Sequence, residues 1–192
     1  MFDEYYFPNV LTLCGSGRNV GKTHLGCQII KHFSKNNPII AVKISKFNHQ
    51  QLEDGTMLLV NQSNGFQIWK QIKTTEKDSG RYLNAGANAS YYIECDDAHL
   101  LEAFLVIYNI YGNSCLIVCE SASISKYINP SISIFVESAT YQTQLNKLHF
   151  LNQSTLVLKE RSIEISMPQL LFSSVCNSWL LKQTAKVISC YA

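Results

Sequence analysis

Nine consecutive residues near the start of the chain, Gly15-Ser16-Gly17-Arg18-Asn19-Val20-Gly21-Lys22-Thr23, have the types and order needed to hold a string of phosphates. Such an anion requires main-chain N–H groups pointing inward around it, a mobile ammonium to spread charge over its outer groups, and a hydroxyl for the accompanying magnesium ion. Lys22 supplies the ammonium and Thr23 the hydroxyl. Glycines 15, 17 and 21 let the backbone pass where a Cβ would clash with an oxygen. Contacts to ATP or GTP are therefore expected from Ser16, Gly17, Arg18, Asn19, Val20, Gly21, Lys22, Thr23 and His24, with Mg2+ on Thr23. Ser16 stands where the usual pattern of Gly, four residues, Gly-Lys-Ser/Thr has its first glycine, and a structural turn is the bland alternative.

Magnesium bridging two phosphates takes few protein oxygens and keeps several waters, so a second anchor belongs at the end of a neighbouring strand. Glu120, directly after an apolar run, is placed for that, or else opens a solvated helix over 122–127. Lys43, near the carboxyl end of another apolar run, is either a cation for a transferring phosphoryl group or an ordinary surface lysine. Asp78 is a magnesium or water ligand or no more than a helix N-cap. Lys22, Lys43, Asp78 and Glu120 form the expected catalytic set, and Thr23, Asp78 and Glu120 the expected metal set. Arg18 leans over the outer phosphate or faces solvent, and His24 and His49 read more readily as structural or exposed than as acid/base groups.

These residues need a scaffold. The run Val10–Cys14 reads as a strand, and Leu25, Ile29 and Phe33, spaced by four, mark one face of a following helix that stops near Asn36-Asn37-Pro38. Ile39–Ile44 is a second buried strand, so the chain opens with a strand–helix–strand unit. Loops around the short run Phe66–Trp69 are expected from Ser45 to about Asp78. A brief helix over Tyr82–Ala87, a strand over Ala89–Ile93 and an amphipathic helix over Ala98–Tyr108 come next. Strands over 114–119 and 131–136, the second after a turn at Asn129-Pro130, continue the alternation, a hairpin joins 155–158 to 162–165, and a closing helix is expected over Gln169–Lys186. Tyr5, Tyr6 and Phe7 read as an aromatic cluster packed on the sheet edge.

Alternating strands and helices imply a three-layer α/β fold with a mostly parallel sheet flanked by helices, here as one P-loop NTPase domain over 1–192. The charge of +2, from 16 basic and 14 acidic residues without a run of like sign, gives no nucleic-acid surface. No apolar stretch approaches roughly 18 residues and the N-terminus has no leader pattern, so neither a membrane span nor export is expected and the cytoplasm is. Seven cysteines, odd in number and mostly in apolar runs, suit reduced core thiols. For Cys115 and Cys119, spaced by four, buried thiols are the expectation and zinc the minor alternative.

The loop from Gly15 to Thr23 resembles that of dethiobiotin synthetases, which have Gly-Thr, three residues, then Val-Gly-Lys-Thr, with Ser16 at the threonine position. Lys43 falls where that family's second strand ends in Lys-Pro-Val and where the molybdopterin-guanine dinucleotide biosynthesis protein B family has Val-Ile-Lys-His. Asp78-Ser79-Gly80-Arg81, Ala85-Gly86-Ala87 and Val118-Cys119-Glu120-Ser121 are similar in order to the latter family's Asp-Thr/Ser-x-Arg, Ala-Gly-Ala and Val-Glu-Gly elements. The resemblance covers roughly residues 10 to 137. It implies a Mg-dependent NTPase that couples ATP or GTP to a cofactor-biosynthesis step or a partner protein. A dethiobiotin-synthetase-like ligase and a non-hydrolysing nucleotide-binding adaptor are the alternatives. No Asn-Lys-x-Asp guanine signature is visible, the second substrate or protein partner is unknown, and the sequence leaves a homodimer open.

Overall fold

The computed structural model describes residues 5–46, 55–62, 65–121, 123–160, 170–174 and 176–181. Among them, eight strands form one sheet with helices on both faces. The chain runs β1 (Tyr6–Gly15), α1 (Lys22–Phe33), β2 (Ile39–Lys46), β3 (Thr56–Gln62), β4 (Phe66–Gln71), α2 (Asp78–Asn84), β5 (Ala89–Cys95), α3 (Leu100–Tyr111), β6 (Leu116–Ser121), β7 (Asn129–Glu137), α4 (Leu148–Gln153) and β8 (Leu156–Lys159). The spatial order is β3-β4-β5-β2-β6-β1-β7-β8. All neighbouring pairs from β5 to β8 are parallel, and β4 pairs antiparallel with β3 and β5. A separate antiparallel pair, β9 (Leu170–Ser173) and β10 (Ser178–Leu181), closes the described chain.

Burial on both faces explains why the central strands read as continuous apolar runs: all six residues of β6 are buried. One face carries Leu11, Leu13, Ala41, Leu116 and Val118 against Leu25, Ile29 and Ile30 of α1 and Tyr82 of α2. The other carries Val10, Val42, Ile93 and Ile117 against Leu100, Ala103, Phe104 and Ile107 of α3. Helix α1 ends at Phe33 before the asparagine pair, as its spacing and Pro38 predict.

Several expectations are corrected. The region after β2 holds an antiparallel hairpin, β3 and β4, rather than loops around one short run. The brief helix starts earlier, at Asp78, and Asn129-Pro130 lies inside β7 rather than in a turn. Lys159 ends β8, which runs parallel to β7; the second arm of the expected hairpin, 162–165, lies outside the described residues. The closing helix over Gln169–Lys186 is replaced by β9 and β10 as far as residue 181. There the buried Trp179 packs edge-on to Phe33, with ring centroids 4.9 Å apart, and donates its indole N–H to Asn9 O at 2.9 Å. The aromatic cluster is not at an edge: β1 lies between β6 and β7, Phe7 packs on Phe104 and Tyr108, and Tyr5 and Tyr6 are exposed.

Helix α1 approaches α2 at Gly26, where an added Cβ would lie 2.7 Å from Tyr82 Cε1 and 3.1 Å from Leu13 Cδ1. Alanine in a helix interior ordinarily gains about 1 kcal/mol over glycine. Here overpacking reverses the sign, and Gly26→Ala is expected to lose about 1–2 kcal/mol. Urea unfolding checks this, and a stabilised variant would mean the α1–α2 contact is looser than described.

Candidate functional site

The parallel register sets the first constraint. Glu120 of β6 lies opposite Leu13 of β1 on one side and Lys43 of β2 on the other, at the carboxyl ends of the three central strands. In open parallel sheets this end is where ligands sit. Between β1 and α1 the chain makes the glycine-rich turn, with positive φ at Asn19 (59°) and Gly21 (92°). Ser16 N–H donates to Val136 O at 3.0 Å and Ser16 Oγ accepts from Ser138 N–H at 2.8 Å, so the start of the turn is tied to β7.

Helix α1 begins without a side-chain cap and without an acidic residue in its first turn. Leu25 N–H donates to Gly21 O at 2.9 Å, and the preceding amides of Lys22, Thr23 and His24 are those that a helix start leaves without intrahelical partners. The first helical side chain is nonetheless a cation. Lys22 Nζ folds back across the turn to donate to Gly17 O at 2.5 Å, and burial pushes its pKa below the usual lysine value.

Glu120 is only 2 % exposed, and three donors meet its carboxylate. Thr23 Oγ1 donates to Oε2 at 2.9 Å, Tyr82 OH donates to the same oxygen, and Lys43 Nζ donates to Oε1 at 2.6 Å. Lys43 also pairs with Asp78 at 2.9 Å. Burial opposes the charge of Lys43, but the carboxylates of Glu120 and Asp78 outweigh it and raise its pKa. Burial likewise opposes the charge of Asp78, and the charge and hydrogen bond of Lys43 outweigh it and lower its pKa. Tyr82 is fully buried, and burial together with Glu120 keeps its hydroxyl protonated.

The structure thus gathers Lys22, Thr23, Lys43, Asp78 and Glu120 in one place. Lys43 is a partly buried ion-pair partner rather than a surface lysine, and Glu120 sits inside β6 rather than opening a solvated helix; the turn that follows is a short 3-10 segment, Ile124–Lys126. Asp78 is not the N-cap of α2, a position held by Lys77 without a side-chain capping bond; it is the first helical residue, with its carboxylate on Lys43. Gly17, Arg18, Asn19, Gly21 and His24 border the same cavity, whereas Val20 is buried in the core. Arg18 is exposed, and His24 lies on the helix surface within 3.0 Å of Gln28 Nε2. His49 lies outside the described residues.

Tyr82 was missed by sequence reasoning, although it stands four residues after Asp78 and so shares its helix face. Lys147, which borders the cavity from beyond β7, carries no sequence signal at all. The cavity measures about 830 Å³. Its walls carry six cations, Arg18, Lys22, Lys43, Lys46, Arg81 and Lys147, and three acids, Asp78, Asp97 and Glu120. Among the described residues no three His, Cys, Asp or Glu side chains gather as a metal site. Cys115 and Cys119 are buried free thiols.

Removing Lys43 leaves Glu120 buried with its charge unpaired. Lys43→Met is expected to cost about 3 kcal/mol, and Lys43→Met/Glu120→Gln to recover most of that. Lys43, with its pKa raised, stabilises fully below 10.5 and loses this contribution as the pH rises through its folded value. Asp78, with its pKa lowered, contributes fully above 3.8 and loses it as the pH falls toward the lower folded value. Urea unfolding of wild type and variants at pH 3, pH 7 and pH 11 reads both, and a shallower acid loss in Lys43→Met is the expected signature. Comparison with family models, with curated proteins and with solved structures gives no match, so the chemistry of this site rests on its own geometry.

Proposed function

We propose that the chain is a P-loop nucleoside triphosphate-binding protein, a magnesium-dependent NTPase that couples ATP or GTP to a second substrate or a partner protein. One observation carries this reading: an uncapped helix start with a half-buried lysine as its first residue. A helix N-terminus has a positive end, and cations there are unfavourable. Placing Lys22 at that end, in surroundings that lower its pKa, is a local conflict that an anion between the amides and the ammonium resolves. A cavity with six cations facing three acids favours a polyanion.

Thr23, Glu120 and Asp78 offer the hard oxygens that suit magnesium, in the small number expected when phosphates complete its shell. When bound with nucleotide the ion would neutralise charge between the outer phosphates. The cavity also reaches Ser45 and Lys46 at the end of β2, Tyr92 within β5 and Asp97 just after it, which leaves room beside a triphosphate for a second substrate. The likeness to dethiobiotin synthetases and to the molybdopterin-guanine dinucleotide biosynthesis protein B family supports a cofactor-biosynthesis setting, and a cytoplasmic location accords with it. Among the described residues no helix is long and apolar enough to cross a membrane.

A non-hydrolysing adaptor is favoured by a different observation: Lys43 already pairs with both carboxylates, as a site with no need of a metal would have it. Two measurements separate these readings. Magnesium with ATP or GTP is expected to raise the melting temperature of wild type and not of Lys22→Ala, because selective binding stabilises the folded state. Equal shifts in both proteins would remove Lys22 from the phosphate site. Glu120→Gln is expected to lower turnover on the order of a hundredfold with a much smaller change in nucleotide affinity. Absence of turnover in the wild type, with binding retained, selects the adaptor.

A further inference from the structure

The glycine-rich turn has two unlike sides. Strand β1, which feeds it, is flanked by β6 and β7. On the β6 side stand Glu120, Lys43 and Asp78, the groups suited to the metal-bearing end of a triphosphate. A ligand whose outer phosphates face that cluster must direct its opposite end toward β7. Resting on the nucleotide reading above, this orientation makes the β7 side the place where the nucleoside leaves the phosphates.

That side is already built. The segment after β7 is fastened to the turn by Ser138 N–H on Ser16 Oγ, and Ala139 N–H donates to Glu160 Oε2 at 3.1 Å. Tyr141 then lies over the turn. Its hydroxyl donates to Arg18 O at 3.3 Å, and its hydroxyl and ring fill the space that a side chain at Gly17 would need. Despite these contacts the residue is 46 % exposed, an aromatic surface held at the mouth of the turn and open to solvent. Lys147 borders the cavity and lies near enough to Arg18 for their charges to interact, so both place positive charge by the turn. An aromatic ring seated on a turn that carries cations suits a base attached to phosphate: nucleobases stack on aromatic faces whatever their hydrogen-bonding edge, and phosphate oxygens take the charge.

We propose that Tyr141 is the platform on which the nucleobase of the triphosphate stacks, with Lys147 beside the inner phosphate. Tyr141 thereby distinguishes a nucleotide from a bare polyphosphate. This assigns a role to the segment after β7, which no feature of the phosphate-binding pattern foretells.

Isothermal titration with magnesium ATP, magnesium GTP and magnesium tripolyphosphate, on wild type, Tyr141→Ala and Tyr141→Phe, tests the assignment. Tyr141→Ala is expected to lower the ratio of nucleotide to tripolyphosphate affinity by about tenfold or more, the usual worth of one stacked base. Tyr141→Phe keeps the ring, loses only the bond to Arg18 O, and is expected to keep the ratio. Far-UV circular dichroism shows whether each variant folds. The platform is overturned if Tyr141→Ala leaves the ratio unchanged, or if it weakens both ligands alike, which would make the ring a support for the turn. It is also overturned, with the phosphate reading intact, if wild type binds tripolyphosphate as tightly as nucleotide. Binding of none of the three by wild type would end the nucleotide reading itself.

Discussion

The carboxylate of Glu120 cannot be left alone. At 2 % exposure, between two layers of apolar side chains, an ionised carboxyl without partners would be unstable by several kcal/mol, so its surroundings have to supply donors. They come from three elements: Thr23 from α1, Tyr82 from α2 and Lys43 from β2. Satisfying one charge therefore fixes the start of α1 and the face of α2 over the carboxyl ends of the central strands. Gly26 belongs to the same requirement, because Tyr82 reaches Glu120 only by passing where a side chain on α1 would stand. The polar site and the apolar packing beneath it are one arrangement, and neither can be moved without the other.

A second constraint sits beside the first and points outward. Natural helices usually place caps or acids at their starts, whereas α1 has an αL glycine as its N-cap and lysine as its first residue. Glu120 supplies part of the missing negative charge, raising the pKa of Lys22 against the effect of burial, but burial wins. Local rules broken in this way, with only partial compensation inside the protein, are expected at functional or strained sites. The same turn holds the positive φ values at Asn19 and Gly21, which orient successive amides differently from a plain helix start.

The sequence carried the parts of this that depend on local pattern. The glycine-rich turn, α1 with its spacing-four stripe, and the apolar runs of β2, β5 and β6 follow from periodicity and burial on both sheet faces. It did not carry what depends on partners far along the chain. Met57, Leu58 and Leu59 of β3 are all exposed on an edge strand with a register shift between Leu58 and Val60, so alternation fails and only pairing with β4 makes a strand of them. The apolar residues between 170 and 181 have no clear period, and Trp179 decides their state by docking on Phe33 and Asn9. For Asp78 the competing uses, cap and ion pair, are separated by one residue: helix α2 starts with Asp78 itself, which frees the carboxylate for Lys43.

Lys43 also sets how the proposed ligand has to bind. Its ammonium stands between Asp78 and Glu120, the two carboxylates that would otherwise attract a divalent ion. A metal binding by itself would have to displace a cation that two acids hold charged against the effect of burial, and would gain only those acids in return. A metal bound with a triphosphate would gain its phosphate oxygens as well, and those oxygens would offer Lys43 and Lys22 partners in place of Glu120 and Gly17 O. The displaced ammonium groups would then keep hydrogen bonds, each new contact offsetting one that is lost. On the proposed reading, metal and nucleotide would bind better together than either alone, because the cations that close the site are the same groups that would recognise the phosphates.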